Sequence, residues 1–377
     1  MFSKKLDFLK KNNLFREIKD RVSPQGPRIK FGKKEFINFS SNDYLGLSAH
    51  PYVIEKSKIS FEEYGFGSSA SRLLGGGCVL HRELEKKLAQ FKNTESALVL
   101  NSGYSANIGI IPSITDDNTV IFSDELNHAS IIDGCRLSKA ETLIYRHKDV
   151  SYLEELLKKN GSKKKIVITD TVFSMEGDIA PVKDIVELCK IYDAVLYLDD
   201  AHGTGVLGNG RGTLTHFGIS PQSWIIQMGT LSKAIGSFGA FVAGDDDLID
   251  WLINTSRSFI FSTALPVCNI AAALAAIEVI EKGDELVKKL WENREKLVER
   301  LKVLGYDIMS SETPIVPIRT GTLENTLRLS EHLFNKGIYA PAIRPPAVKE
   351  PRIRITVTAS HTDEDIEKLI EALREYG

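Results

Sequence analysis

"WIIQMGTLSKAIGSFGA", Trp224 to Ala240, reads as a buried strand that opens onto one lysine set among small residues. Most lysines of the chain sit in polar, helix-like or turn-like runs such as "EKGDELVKK" and "NGSKKK". Lys233 does not, because its neighbours are Ser232, Ala234 and Gly236, at the mouth of an apolar strand. A solvated lysine needs no such setting. What gathers at the ends of the other strands therefore decides how Lys233 is read.

Working outward, the candidate strands are "SALVLN" (96–101), "NTVIFSD" (118–124), "KIVITD" (165–170), "AVLYLDD" (194–200), "WIIQMG" (224–229) and "GAFVAG" (239–244). Most are near-continuously apolar, as strands are when both faces of a mostly parallel sheet are covered. Helical patterns such as "SYLEELLKKNG" and "VKDIVELCKIYD" fall between them, which predicts an α/β, doubly wound architecture. A long Ala/Leu/Glu/Lys stretch over about 266–304 reads as a linking helix. The tail gives a strand "TPIVPIRT", a helix "TLENTLRLSEHLFNKG", a strand "PRIRITVTA" and a last helix capped by Thr362. The expected organisation is an N-terminal segment (1–40) packing with a small domain, a large domain (41–265), and a linking helix with a smaller α+β domain (266–377).

The 377 residues, 42% of them hydrophobic, can bury a large core. A formal net charge of −2 offers no global field for nucleic acid or an anionic membrane. Cys78, Cys135, Cys189 and Cys268 are scattered, with no CxxC pair and no Cys/His metal spacing. That usage suits reduced thiols in a cytoplasm. The start, "MFSKKLDFLKKNNLFREI", has charge but no apolar core of a signal peptide, and reads as a short amphipathic arm. The longest apolar run, "LPVCNIAAALAAIEVI", is too short to span a bilayer. The expectation is a cytoplasmic protein with small-molecule substrates and no metal.

In an open parallel sheet, ligands sit beyond the carboxyl ends of the strands. After "SALVLN" comes "SGYSAN", a small-residue turn opening a helix, suited to holding a phosphate on backbone N–H groups. The next strand ends place His128, then Ser174 in "TVFSMEGD", then Asp199, Asp200 and His202 in "DDAHGTGVLG", then Thr230, Ser232 and Lys233. A single strand-end histidine is more often structural than catalytic, and "SGYSAN" alone is a common helix start. Their convergence on one edge is harder to dismiss. The set suits Schiff-base chemistry with a phosphorylated pyridinium cofactor: a lysine amine for an aldehyde, a carboxylate for the ring nitrogen, and a flat histidine to stack on the ring.

Seven motifs carry a resemblance over nearly the whole chain: "NFSSNDYLGLS" (38–48), "NSGYSAN", "NHASIIDG", "VFSMEGD", "DDAHGTGVLG", "TLSKAIGSFGA" and "RIRITVTASHT". Their order resembles that of the α-oxoamine synthases, pyridoxal-phosphate enzymes of the aspartate-aminotransferase fold (fold type I), which condense an amino acid with an acyl thioester and release CO2. The resemblance implies that Lys233 binds pyridoxal phosphate covalently and is the base at Cα. It implies that Asp199 pairs with the ring nitrogen, with Asp200 as the alternative, and that His128 stacks on the ring. Ser174 and His202 would contact the ring oxygen. Ser102, Gly103, Tyr104, Thr230 and Ser232 would surround the phosphate. Asn42 and Arg354 would face the amino-acid substrate, Arg354 clamping its carboxylate in preference to Arg352. Arg16 lies where the family often has a substrate-contacting arginine. Members are expected to be homodimers with shared active sites, the "GSSASR" loop (67–72) reaching the neighbour.

Within the family, "YAPAIRPPAV" (339–348) resembles the branch that uses L-alanine and a pimeloyl thioester, carried on CoA or a carrier protein, in biotin biosynthesis. Arg344 either recognises the far carboxyl end of that acyl chain or sets a loop. Lys349, Glu350, Ala347, Ser69 and a shortened loop before "RIRIT" depart from the branch's usual pattern. The alternatives are a glycine C-acetyltransferase and, more remotely, a non-catalytic partner subunit. Retention of Lys233, Asp199, His128 and His202 speaks against the last.

Overall fold

The structure, a computed structural model, describes residues 2–377 and divides into two compact units. The larger holds residues 43–174 and 178–288; the smaller holds the chain up to Asn42, residues 175–177 and residues 289–377.

Among the described residues the larger unit contains a seven-stranded sheet. Its spatial order is Ser96–Leu100, Ala240–Gly244, Ile225–Thr230, Ala194–Asp199, Lys164–Asp170, Thr119–Asp124 and Glu141–Tyr145. Only Ala240–Gly244 runs against the rest. Alternate side chains leave the sheet on opposite faces, and both faces are covered. Ile121, Ile166, Ile168 and Tyr197 enter one apolar cluster. Their neighbours Val120, Phe122, Val167, Leu196 and Leu198 enter another. Each such side chain contributes about 1.5–3 kcal/mol when fully buried, which is why these strands read as continuous apolar runs. The six strands expected from the sequence are present; Glu141–Tyr145 is an edge strand with a mostly exposed, mixed sequence and carries no such run.

The register puts the strand ends abreast. Leu100 and Thr230 both lie opposite Ala240, and Asp199 lies opposite Met228 on one side and Asp170 on the other. The small residues around Lys233 also have a reason. Gly236 has φ +69°, and a Cβ there would come within 2.4 Å of the Ser48 backbone nitrogen. Gly205, in "DDAHGTG", has φ +82° and would drive a Cβ to 2.4 Å from that of Ala234. The lysine turn and the strand-end turn beside it pack backbone to backbone.

The smaller unit has two three-stranded sheets. Arg28–Phe31 and Lys34–Asn38 form a hairpin joined in parallel by Ile338–Tyr339. Arg352–Thr356 lies between Ile315–Arg319 and Ala342–Ile343, antiparallel to both. One core gathers Ile37 and Phe39 with Leu297, Leu301, Leu333, Ile353, Ile355 and Leu369. The last helix, Asp363–Tyr376, is capped by Thr362, which accepts from Asp365 N while the Asp365 side chain accepts from Thr362 N. The first helix, Ser3–Lys11, has no buried residue. The single linking helix expected over about 266–304 is instead two, Val267–Lys282 and Glu285–Val303. Gly283 and Asp284 intervene, a poor helix former followed by a residue that favours helix starts.

A charged clamp closes one side of the larger unit. His147 Nδ1 and Nε2 lie 3.0 Å from Asp124 Oδ1 and 3.0 Å from Asp178 Oδ2. Burial disfavours the charged ring, yet the two carboxylates outweigh it and lift His147 to about 9. A raised value stabilises the fold below the ordinary 6.5 and loses that contribution as pH rises through about 9. The loss is of order 3 kcal/mol. Urea unfolding across that window should show stability falling with pH, and His147→Gln should flatten the slope. An unchanged slope in the variant contradicts the clamp.

Candidate active site

The strand ends of the larger unit bring the expected residues to one edge. Asp199 closes its strand with its side chain buried. Its Oδ1 accepts from Ala201 N at 3.1 Å and its Oδ2 from Asn107 Nδ2 at 2.8 Å. Burial raises Asp199, while the Lys233 charge, the Asn107 bond and His128 hold it back. Next to it, Asp170 is pushed well above the carboxylate range by burial and by the charge of Asp199. Two like charges on adjacent strand ends oppose each other, and the upward push falls harder on Asp170 than on Asp199.

His128 caps the helix Ala129–Leu137, its Nδ1 accepting from Ser130 N at 3.2 Å. Its own N donates to Asp170 Oδ2 at 2.6 Å. Burial lowers His128, opposed by Asp199 and aided by Lys233, which favours the neutral ring. His202 Nδ1 lies 2.7 Å from the Tyr44 hydroxyl, with the rings edge to face. Ser174 lies in the turn after Phe173, just beyond the bridge between Val172 and Ile179.

The helix Gly103–Ser113 begins beside the Thr230 strand end. Ser102 caps it, accepting from Ser105 N at 3.1 Å. The first N–H groups of a helix have no partner within it, and a Cβ on Gly103 would meet no heavy atom within 4 Å. Thr230 Oγ1 lies 2.7 Å from Ser232 Oγ and donates to Gly239 O at 2.9 Å. Tyr104 donates its hydroxyl to Asp133. This end of the edge therefore collects N–H and hydroxyl groups, a set suited to a phosphate.

Asp200 is the counter-example. Its Oδ2 takes Lys92 Nζ at 2.7 Å and Thr204 Oγ1 at 3.0 Å, and its Oδ1 takes Thr171 at 2.8 Å and Thr213 at 2.5 Å. A Cβ on Gly203 or Gly212 would fall 2.1 Å from one of its oxygens. Gly203 inside the motif and Gly212 just beyond it make room for this cage, whose lysine is itself buried. Asp200 anchors the turn, and Asp199 is the carboxylate left to the edge.

In the smaller unit, Arg354 Nη2 donates to Asn42 Oδ1 at 2.9 Å. Arg352 is committed to Glu176 Oε1 at 3.0 Å and to the carbonyls of Met175 and Glu350. Arg344 Nη2 donates to Phe15 O at 2.6 Å, and Arg16 Nη2 donates to Pro345 O at 2.9 Å. Both arginines line a cleft of about 830 Å³ together with Phe15, Lys19, Phe334 and Tyr339.

Sequence reasoning missed Asn107, Asp170, Tyr44 and Lys92 as parts of these networks. The signal for Asn107 was faint but present: an asparagine inside an apolar helix is a poor helix former that needs a partner.

A model of aminotransferase class I and II matches residues 34–373. The chain belongs to that family. Among aminotransferase class I and II relatives, it is 56% identical to a putative 8-amino-7-oxononanoate synthase of Thermodesulfovibrio yellowstonii, covering 99% of this chain and 96% of that protein. It is 47% identical to an 8-amino-7-oxononanoate synthase of Thermoanaerobacter pseudethanolicus, covering 99% and 95%. A serine palmitoyltransferase from S. paucimobilis, solved with bound PLP–myriocin aldimine, superposes with a TM-score of 0.94 at 29% identity, covering 100% of this chain and 97% of that one. The aminotransferase-like fold expected from the motifs is thereby shown.

The two neighbouring aspartates should separate by stability. Asp200→Asn strands the buried Lys92 charge and should cost about 3–5 kcal/mol. Asp199→Asn turns an amide N–H toward one of two donors, Ala201 N or Asn107 Nδ2, and should cost the smaller amount of about 1–3 kcal/mol. Urea unfolding of the two variants without added cofactor checks the order; the reverse order contradicts it.

Proposed function

We propose that this protein is a pyridoxal-phosphate-dependent acyltransferase that condenses L-alanine with a pimeloyl thioester, giving 8-amino-7-oxononanoate, CO2 and the free carrier thiol, a step of biotin biosynthesis. The observation that carries the reading is the buried Asp199 carboxyl, held by Ala201 N and Asn107 and within electrostatic reach of both Lys233 and His128. A carboxylate at that strand edge suits a cationic ring. The full-length relatives named as 8-amino-7-oxononanoate synthases support the acyl half.

The donor set fits the cofactor: a primary amine, a carboxylate anion, a neutral imidazole and a helix start rich in N–H and hydroxyl groups. Bound pyridoxal phosphate supplies an aldehyde for amines and a protonated ring that draws electrons from the amino acid's Cα. Lys233 would hold the cofactor and then take the proton from Cα. Asp199 would keep the proton on the ring nitrogen, since a negative charge there favours the cationic form. His128 would lie against the ring. His202, its ring set by Tyr44, and Ser174 would hold the ring oxygen. Ser102, Gly103, Tyr104, Thr230 and Ser232 would hold the phosphate. Arg354 would grip the alanine carboxylate as a fork, with Asn42 fixing its Nη2.

Arg344 and Arg16 are proposed to attract the far end of the acyl chain. Each already braces the backbone of the other's segment, so Arg344 serves the loop even where it also serves the substrate. We further read the protein as a cytoplasmic homodimer. Its four cysteines are free, and burial pushes Cys135 up to about 11 and Cys189 to about 12, values of inert thiols. Phe66, Leu74 and Phe261 are largely exposed in segments tied together by the Ser71–Thr263 bridge, an apolar surface suited to a second copy. Sedimentation at assay concentration should give a dimer; an active monomer contradicts it.

A substrate panel tests the reading. Alanine with a pimeloyl thioester should have the highest kcat/KM, and glycine should be about 10- to 200-fold poorer, since one methyl separates them. Arg344→Ala should harm the pimeloyl thioester more than acetyl-CoA. Preference for glycine with acetyl-CoA would make the protein a glycine C-acetyltransferase instead.

A further inference from the structure

Asn107 sits in the first turns of the helix Gly103–Ser113, fully buried, and its amide makes three hydrogen bonds that use both of its N–H groups. Its Nδ2 donates to Asp199 Oδ2 at 2.8 Å and to Ser130 Oγ at 2.8 Å, and its Oδ1 accepts from the Tyr197 hydroxyl at 2.7 Å. The orientation of the amide is forced. A carboxylate can only accept, so the nitrogen must face Asp199 and the oxygen must face the phenol. Ser130 Oγ, which accepts from Asn107, lies 2.7 Å from His128 Nδ1. His128 Nδ1 accepts from Ser130 N at 3.2 Å, so that nitrogen is without a proton and Nε2 carries it. The Ser130 hydroxyl, an acceptor for Asn107, is then left to turn its proton toward the same nitrogen.

One amide thus acts on two groups of the edge. It donates to the carboxylate, favouring its ionised form, and through Ser130 Oγ it steadies the contact that holds the imidazole's Nδ1. Backbone packing holds it there. A Cβ on Gly134 would fall 2.7 Å from Asn107 O, so the helix bearing His128's cap can lie directly against the helix bearing Asn107 only because residue 134 is glycine.

We propose that Asn107 is a positioning residue that couples Asp199 to His128, so that the carboxylate stays charged and the ring stays neutral and correctly turned when the cofactor binds. This rests on the reading of the edge as a pyridoxal-phosphate site. Nothing in the role requires Asn107 to touch the cofactor.

The test uses Asn107→Leu, which keeps the volume and removes the polar contacts, with cofactor affinity and the pH titration of the visible cofactor band as readouts. Loss of a bond to a charged group should weaken cofactor binding about 10- to 100-fold. Asp199 would then protonate at higher pH, so the acid-side change of the visible band should move upward. The kcat with alanine should fall more than KM rises. Asn107→Leu with parental affinity and an unmoved titration overturns the proposal. Should that variant fail to fold, Tyr197→Phe and Ser130→Ala decide. The first frees the amide to turn and the second cuts only the histidine arm, so both should shift the titration, and parental behaviour in both overturns the coupling. A parent protein that shows no Lys233-dependent visible band overturns the reading of the site and this inference with it.

Discussion

A negative charge buried at the end of the Ala194–Asp199 strand is the constraint on which the larger unit turns. Water is excluded there, so the charge has to be held by specific donors and by nearby positive charge. Ala201 N and Asn107 supply the donors, and Lys233 supplies the charge. The neighbouring Asp170 is pushed well above the carboxylate range by burial and by Asp199. Each of these depends on the sheet register that sets Asp170 beside Asp199 and on the helix start that carries Asn107 back beneath the strand ends.

The adjacent aspartates divide the work. Asp200 is saturated by Lys92 and three threonines, and that cage fixes the course of the glycine-rich turn. Asp199 is left outside that cage, with Ala201 N and Asn107 as its donors. A similar division holds in the smaller unit, where Arg352 is spent on Glu176 and two carbonyls while Arg354 meets Asn42. In both places one charge of a neighbouring pair is committed to local partners, and the other is the one proposed to meet cofactor or substrate.

How much of this was legible follows from range. The central strands could be read because burial on both faces leaves a continuous apolar run, and the strand-end residues could be read because they follow those runs directly. Glu141–Tyr145 and the hairpin Arg28–Asn38 were not read: short edge strands have exposed positions and mixed composition. The break at Gly283 was hidden inside a helical composition. Arg352 and Arg354, two apart on one strand, project to the same face, so no local pattern separates them; only the distant Glu176 and Asn42 do. Asn107, Tyr44 and Lys92 escaped for the same reason, since their partners lie far along the chain.

Borohydride reduction of the pyridoxal-phosphate-loaded protein, followed by peptide mapping, tests the assignment of the edge most directly. Lys233, adjoining Asp199 and His128, should carry the reduced cofactor on the peptide that spans "TLSKAIGSFGA". A label on any other lysine, or no label at all, contradicts it.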